Sequence, residues 1–494
     1  MQLISFPFFV GFVLSLAVYY LFPQKYRYLL LLIYSYLFFI ISTPLGTPYI
    51  LFSSVSVWFA ARKRTKGVVA GCITVNLLML AACKYLAFFI TNVNRIVVVF
   101  DSVPDIIEPI GISYYTLGII GYLLDVYWGT TEAESSLLRT MLFTSYYPQL
   151  TSGPVTRFKD VSKSLFAGKR PGYENITFGA QRILWGIFKK IVIAERARTI
   201  VNTVYGDIHT YNGVYIPFAA MIFVVQLYAD FSGCMDIVLG ISECYGITLP
   251  ENFKAPFLSS SVREFWQRWH ITLGEWFRDY IMYPLQKSSP ISSWSLRLRK
   301  KTKNKTIRNI PVYISMLAVW LLIGIWHGGA WKYILGMGLW FWSMIVLSEI
   351  TKPLMTKIKN GLKVNEDSLW FRILTAVRVF ILVAIGNMFF RLSSFRMFFV
   401  AVKETFSSWN PRILIDGSIF DLGLDIPNML VFVISVLLMA VISIMSYKRS
   451  VRERLRDQKI AVRWILLLLL IWCVVIFGEY GPGYNASDFI YGNF

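Results

Sequence analysis

VREFWQRWHITLGEWFRDYIMYP (262–284) and IPVYISMLAVWLLIGIWHGG (310–329) decide how this chain is organised. They hold two of its three histidines, His270 and His327, and each of these follows a tryptophan. In the first stretch apolar residues recur with the period of a helix, and charged residues occupy the opposite face. This pattern predicts one amphipathic helix of about six turns, ended by Pro284. Such a helix lies at a membrane interface or lines a polar cavity inside a bundle.

The second stretch is apolar on every face up to Trp326 and then places His327 before two glycines. An ionisable residue beside a backbone break in an apolar run is a functional-site hypothesis. If 310–327 begins at the inner face of the membrane, His327 lies about 24 Å along the helix, past the midplane. The pair Gly328-Gly329 forms either a hairpin, with the histidine near the outer mouth, or a break in one descending segment, with the histidine deeper.

The composition is that of a polytopic membrane protein. Of the 494 residues, 56% are hydrophobic and 16% are charged, whereas a soluble domain carries about 25% charged residues. The net charge of +21 comes from clusters between apolar runs, which the positive-inside rule explains without nucleic acid. No repeat, soluble domain or low-complexity linker interrupts the chain. We therefore expect an all-α protein with a single membrane-embedded domain over 1–494.

The apolar segments approach the ~20 residues needed to cross a bilayer. Three of them, 47–61, 136–151 and 462–478, are short, so the expected count is about 11 to 13 crossings. The predicted spans are 3–22, 27–43, 47–61, 67–90, 108–128, 136–151, 177–202, 213–240, 310–327, 330–350, 371–390, 425–446 and 462–478.

Basic turns set the expected orientation of the chain in the membrane. The turns at 25–27 and 62–66 are basic, whereas 43–46 and 101–108 are neutral or acidic. This alternation places the N-terminus outside the cell and the basic turns in the cytoplasm. The strongest basic block, interpreted as a loop over 287–309, has eight Lys and Arg and no acidic residue. It binds anionic lipid headgroups or receives an anionic cytoplasmic donor.

The chemistry suggested by the residues is general-base catalysis by histidine. The sequence holds no nucleophile elbow, P-loop, GxGxxG or HExxH motif, so we expect no metal and no bound cofactor. A neutral imidazole with a pKa near 7 takes the proton of an incoming hydroxyl. Asp230 and Asp236 lie inside an apolar span, where they orient a histidine or pair with an arginine. The tryptophans and tyrosines of 262–283 pack the core or line an acyl channel.

Seven motifs, in this order and spacing, are similar to those of one family. The chain resembles the membrane-bound O-acyltransferase (MBOAT) family, in its bacterial alginate O-acetyltransferase (AlgI-like) branch, and is related to the D-alanyl transferase DltB. The motifs are GISYYTLGIIGYLLDVYWG (111–129), YYPQLTSGPVTRFKD (146–160), WGIFKKIVIAE (185–195), QLYADFSGCMDIVLGISECYGITLPENFKAPF (226–257), EFWQRWHITLGEWFRDYIMYPL (264–285), IGIWHGGAWKYI (323–334) and FGEYGPGYNASDFIY (477–491).

The resemblance implies a ring of transmembrane, re-entrant and amphipathic helices around a central tunnel, with a catalytic core at about 108–350. His327 matches the catalytic histidine of the family, as a general base or a transient acyl carrier. His270 matches the second histidine, which orients or polarises the thioester. The residues assigned to substrate binding are Trp326, Trp269, Arg268, Asp230 and Asn252.

The resemblance also implies the partners. An acyl group, acetyl in the AlgI-like branch, passes from a cytoplasmic thioester to a surface polysaccharide outside the bacterial cell membrane. An extracytoplasmic SGNH-hydrolase-like or DltD-like protein assists. One departure is PLQKSSP (284–290) in place of the usual glycine-rich turn, which leaves open acetyl-CoA or a carrier-protein thioester as donor. The alternatives are D-alanyl transfer to teichoic acid and, in another class, transport of a polysaccharide or small molecule.

Overall fold

The computed structural model describes residues 5–481, and within them every regular element is helical. One isolated antiparallel bridge joins Phe253 to Trp269. The prediction of an all-α polytopic membrane protein is confirmed. Among the described residues, seven helices are long and apolar enough to cross a membrane: Gln24–Ser42, Lys66–Asn94, Tyr215–Cys244, Lys332–Gly361, Leu369–Arg391, Ile426–Ser446 and Ile460–Phe477.

Two shorter apolar helices, Phe6–Leu21 and Ile310–Trp326, coincide with further predicted spans. The total of about 11 to 13 crossings stays a prediction, as does the single domain. Of the final sequence motif, residues 482–491 lie outside the described residues.

From residue 5 onward, the described part of the first half of the chain forms eleven α-helices. They are α1 Phe6–Leu21, α2 Arg27–Ser42, α3 Thr47–Lys63, α4 Lys66–Asn94, α5 Ile112–Tyr127, α6 Leu137–Ser145, α7 Tyr147–Leu150, α8 Phe158–Ala167, α9 Tyr173–Phe188, α10 Glu195–Gly206 and α11 Tyr215–Cys244.

The second half forms twelve more in the described residues. They are α12 Val262–Arg268, α13 Ile271–Phe277, α14 Tyr283–Lys287, α15 Ser289–Lys301, α16 Lys305–Arg308, α17 Ile310–Trp326, α18 Leu339–Gly361, α19 Leu369–Arg391, α20 Phe395–Ser407, α21 Ile426–Ser446, α22 Val451–Arg456 and α23 Ile460–Phe477. Three π-helical segments are Lys189–Ala194, Arg278–Met282 and Lys332–Gly338, and the 3-10 turns are Gln24–Tyr26, Pro44–Gly46, Pro256–Leu258, Pro411–Leu414 and Ser418–Leu422.

The described residues form two compact units, and the long helix α11 contributes to both. The first unit comprises 5–192, 229–251 and 452–481. In this unit α9 and α11 approach each other closely at Gly186 and Gly233. A Cβ added at Gly186 would lie only 2.5 Å from the carbonyl oxygen of Gly233. Small residues at a crossing let two backbones approach closely, as in helices packed within membranes.

The second unit comprises 193–228 and 252–451. Its centre is a helical hairpin in which α17 turns back into the π-helical segment 332–338 and α18. Near the turn, a Cβ at Gly324 would lie 2.6 Å from the carbonyl oxygen of Tyr333. Farther along, the indole of Trp342 donates a hydrogen bond to the carbonyl of Tyr313 at 2.8 Å. The two arms of the hairpin therefore run antiparallel to each other.

The turn of this hairpin depends on the two glycines that follow His327. Gly328 and Gly329 adopt φ angles of 132° and 57°, in a region that side chains with a Cβ rarely enter. Of the two alternatives for the Gly328-Gly329 pair, the hairpin is therefore the one observed.

The prediction of one continuous helix over 262–283 is wrong. Helix α12 ends at Arg268, and α13 begins at Ile271 after His270, whose φ and ψ are 48° and 51°. The break follows from a long-range contact, because the backbone at Trp269 pairs with Phe253 instead of continuing the helix. The hydrophobic period is the same on both sides of the break and cannot reveal it.

Two other predictions about this region are also wrong. Pro284 does not end the helix, since the π-helical segment Arg278–Met282 continues directly into α14, which contains Pro284. The basic segment 287–309 is not a loop but forms α15 and α16.

The predicted span 136–151 is divided into α6 and α7 next to Pro148, because a proline does not fit the interior of a helix.

Candidate active site

The two Trp-His pairs of the sequence meet at one indole ring. The Trp326 ring contacts the His327 imidazole at a centroid distance of 5.0 Å and the His270 imidazole at 6.0 Å. The side chains are enclosed, because His270 and His327 are only 5% and 3% exposed. Two segments that are distant in sequence thus bring both candidate catalytic histidines into one buried cluster.

His327 lies at the tip of the helical hairpin. It follows the last residue of α17, and its backbone N–H donates to the carbonyl of Ile323 at 3.1 Å. Besides Trp326, its ring contacts Phe390 at 5.5 Å and Tyr333 at 6.3 Å. The imidazole therefore has aromatic walls contributed by three helical segments.

Phe390 and Tyr333 are site residues that sequence reasoning missed. Tyr333 stood within the motif IGIWHGGAWKYI (323–334), where its spacing from His327 was a usable signal. Phe390 had no such signal, because α19 joins the site only through tertiary packing. Lys332 stabilises the end of α19 by donating to the carbonyl of Leu392 at 2.8 Å, as a cation does at a helix C-terminus.

His270 lies at the break between α12 and α13. A left-handed backbone is uncommon for a residue with a Cβ, and such conformations cluster at functional sites. Its Nδ1 lies 3.2 Å from Oδ1 of Asn252. Burial lowers the pKa of the His270 imidazole well below its usual range, and His327 acts in the same direction. The ring is therefore neutral at physiological pH.

This arrangement suits proton transfer in a nonpolar enclosure. A neutral imidazole has a free lone pair, with which it can accept a proton from a reacting group and return it within one reaction cycle. Aromatic walls also exclude water, which would otherwise hydrolyse an activated acyl group. Across residues 5–481, no group of three or more His, Cys, Asp and Glu side chains is placed to hold a metal ion.

The contacts of Trp269 are packing contacts, whereas Arg268 makes an ion pair and a hydrogen bond. Trp269 stacks on Phe265 at a centroid distance of 5.4 Å and meets Phe253 edge-on at 5.1 Å. The Arg268 guanidinium pairs with Glu264, and it donates to the hydroxyl of Tyr447 at 3.1 Å. These contacts leave the assignment of both residues to substrate binding as a prediction.

Asp230 lies in the first unit, in a buried ion pair with Lys190 at 2.6 Å. Its neighbour Asp236 pairs with Lys189 at 2.6 Å and Arg182 at 2.9 Å. The predicted pairing with an arginine is observed for Asp236, whereas the ion pair of Asp230 is with a lysine. The assignment of Asp230 to substrate binding stays a prediction.

Comparison with known proteins gives several similarities. The profile of MBOAT, the membrane-bound O-acyltransferase family, matches residues 132–361, a range that includes both clustered histidines. The chain is 31% identical, over 80% of its length and 76% of the other protein, to a probable alginate O-acetylase AlgI of Azotobacter vinelandii.

Two shorter matches are to proteins named for other activities. A peptidoglycan O-acetyltransferase of Helicobacter pylori is 28% identical over 53% of this chain and 51% of that protein. A teichoic acid D-alanyltransferase of Bacillus subtilis is 29% identical over 47% of this chain and 56% of that protein.

Proposed function

The chain belongs to the membrane-bound O-acyltransferase family and is an acyltransferase, and we propose that its acyl group is acetyl. The donor is a cytoplasmic thioester, and the acceptors are hydroxyls of a surface polysaccharide outside the bacterial cell membrane. The longest matches, to alginate O-acetylases, support acetyl transfer to a polysaccharide.

The observation that carries the proposal is the convergence of His270 and His327 on Trp326. A transporter has no need of two buried imidazoles in one aromatic enclosure, whereas an O-acyltransferase needs a base for the acceptor hydroxyl. The aromatic walls keep water from competing with that hydroxyl for the acyl group.

In the proposed reaction His327 takes the proton of the acceptor hydroxyl as the oxygen attacks the thioester carbonyl. A carbon–oxygen bond forms, the carbon–sulfur bond breaks, and the leaving thiolate receives the proton from the imidazolium. In a two-step form of the same reaction, His327 holds the acyl group between donor and acceptor. Both forms consume one thioester and release one thiol for each ester made.

The membrane gives the reaction its direction. A charged coenzyme A cannot cross the bilayer, but a small neutral acyl group can pass through a narrow tunnel between helices. We place the N-terminus outside, from the distribution of basic turns, and the donor at the cytoplasmic face as acetyl-CoA or an acyl-carrier thioester. An SGNH-hydrolase-like or DltD-like protein outside the membrane completes delivery to the polymer.

The test is the amount of acetate and D-alanine that alkali releases from surface polymers of cells with wild type, His327→Ala or a deletion. The amount of protein in the membrane is measured in parallel. We expect acetate to be lost in both mutants while His327→Ala still accumulates in the membrane. Loss of D-alanine instead would move the assignment to teichoic acid, and normal ester in His327→Ala would refute the catalytic role of His327.

A further inference from the structure

Asn252 is a buried side chain whose amide oxygen has three neighbours on one short segment. The residue is 1% exposed. Its Oδ1 accepts hydrogen bonds from the backbone N–H of Thr272 at 3.1 Å and from the Thr272 hydroxyl at 3.0 Å. The third neighbour is Nδ1 of His270 at 3.2 Å. The amide therefore links the candidate catalytic imidazole to the first turn of α13.

The backbone contact determines which way the Asn252 amide faces. A backbone N–H can only donate, so the atom that meets Thr272 must be the amide oxygen and not its nitrogen. An amide oxygen in turn only accepts. Nδ1 of His270 must therefore carry a hydrogen to bond with it, and in the neutral ring the acceptor lone pair then lies on Nε2.

We infer that Asn252 is a positioning residue that holds His270 as the neutral tautomer with its proton on Nδ1 and its lone pair on Nε2. This inference rests on the proposed function, in which His270 and His327 meet at one buried site. The sequence assigned Asn252 to substrate binding. In the present inference Asn252 contacts the His270 imidazole instead.

The tautomer decides how His270 can help the reaction. To polarise a thioester carbonyl, the ring would have to donate a hydrogen bond from Nε2, which this tautomer cannot do. It can instead accept one, from an O–H or N–H group of the reacting cluster. His327 acts on the His270 ring electrostatically, and burial disfavours a charged ring. Before the reaction begins, Nε2 of His270 is thus a hydrogen-bond acceptor.

The backbone around His270 is held by the same segment. The N–H of Ile271 donates to the carbonyl of Asn252 at 3.0 Å, and the N–H of Lys254 donates to the carbonyl of Arg268 at 3.0 Å. These bonds flank His270 on both sides and maintain its left-handed conformation. Asn252 thus positions the ring through its side chain and the backbone through its carbonyl.

The direct test is solid-state NMR of the full chain with ring-¹⁵N histidine in phosphatidylglycerol and phosphatidylethanolamine bilayers. The chain has three histidines, so His209→Ala and His270→Ala variants assign the spectrum. We expect the wild-type His270 ring to be neutral with its proton on Nδ1 at about pH 7. A proton on Nε2 would overturn the inference.

Two substitutions of Asn252 and one control extend the test. In Asn252→Ala the ring should lose its fixed tautomer, whereas Thr272→Val, which keeps the backbone N–H, should leave it unchanged. Asn252→Asp keeps acceptor oxygens for Thr272 but adds a negative charge, so the imidazole should become charged at a pH where the wild-type ring is neutral. An unchanged tautomer in Asn252→Ala, or an unchanged titration in Asn252→Asp, would contradict the inference.

Ester content separates this inference from the proposed function. Asn252→Ala should lower surface ester about 10- to 100-fold, the effect of removing the outer partner of a functional imidazole, while His209→Ala should not. If His327→Ala keeps its ester, the proposed function fails. If His327→Ala loses ester but Asn252→Ala keeps it and the wild-type tautomer, only the positioning role of Asn252 fails.

Discussion

Two buried polar regions of this protein satisfy their side chains in different ways. In the first unit, cations of α9 and the π-helical segment after it meet carboxylates of α11, and Lys190 and Asp230 are each only 2% exposed at a separation of 2.6 Å. In the second unit, His270 and His327 lie among aromatic rings, and Nδ1 of His270 lies 3.2 Å from the neutral amide oxygen of Asn252.

The difference indicates what each region can do. A buried ion pair is costly to break, because the remaining charge stays in a medium of low dielectric constant. Such a pair resists a change of protonation and suits a structural role. The imidazoles of His270 and His327 lie among aromatic rings. An imidazole takes up and releases a proton near neutral pH, so this pair suits proton exchange with a bound substrate. The first region is therefore suited to a structural role, and the second is suited to chemistry.

The largest effect is expected for His327→Ala. Removal of the base should reduce alkali-releasable ester to the level of the deletion strain, with the same amount of protein in the membrane. His209→Ala is the matched control, because its side chain is 70% exposed and its Nδ1 lies 3.4 Å from the carboxylate of Glu404. A loss of ester in the control of similar size would show that the assay responds to any missing histidine.

The next effect concerns the ion pair. Asp230→Leu leaves Lys190 charged and buried, which should lower the free energy of unfolding by about 3–5 kcal/mol and reduce the amount of protein in the membrane. The double variant Lys190→Met/Asp230→Leu should restore most of the stability, since no unpaired charge is left. Thermal unfolding in detergent measures both.

The same double variant separates the two interpretations of Asp230. If it recovers protein and ester together, the carboxylate is structural, as the comparison of the two regions requires. If protein returns but ester does not, Asp230 takes part in substrate binding, as predicted from the sequence, and the comparison does not hold.

A smaller effect is expected at the close approach within the hairpin. In Gly324→Ala the new Cβ would lie 2.6 Å from the carbonyl oxygen of Tyr333 and 2.7 Å from Cα of Ile334, so backbone must move. Since the turn holds His327, ester formation should fall about 10- to 100-fold, as expected for misplacement of a catalytic group by ~1 Å. Gly118→Ala, where a Cβ meets nothing within 4 Å, is the control.

The smallest effect is expected on the basic helix α15. Arg297, Arg299 and Lys300 are exposed, and their replacement by Gln should raise the apparent KM for acetyl-CoA in membrane vesicles about 2- to 10-fold, with kcat unchanged. A control with the same change in charge replaces three exposed residues elsewhere, Arg396, Lys403 and Arg412. Equal effects in both variants would show that only net charge matters and that α15 is not where the donor approaches.

Hydrophobicity in the sequence was sufficient to predict many helices. The span predicted over 310–327 is α17, Ile310–Trp326, and the span over 425–446 is α21, Ile426–Ser446. Both are long apolar runs with a proline in the first turn, and these are local properties of the chain. The same reasoning failed at 262–283, where the break depends on a bridge to Phe253.

The sequence by itself determined that the chain is helical, embedded in a membrane and equipped with two unusual histidines, because composition, periodicity and a rare residue type are all local. Only the tertiary structure decided that both imidazoles meet at Trp326, that Asn252 faces His270, and that Asp230 pairs with Lys190. Each of these contacts joins side chains from different segments. The packing of helices decides which side chains meet, and the hydrophobic period of a sequence does not reveal that packing.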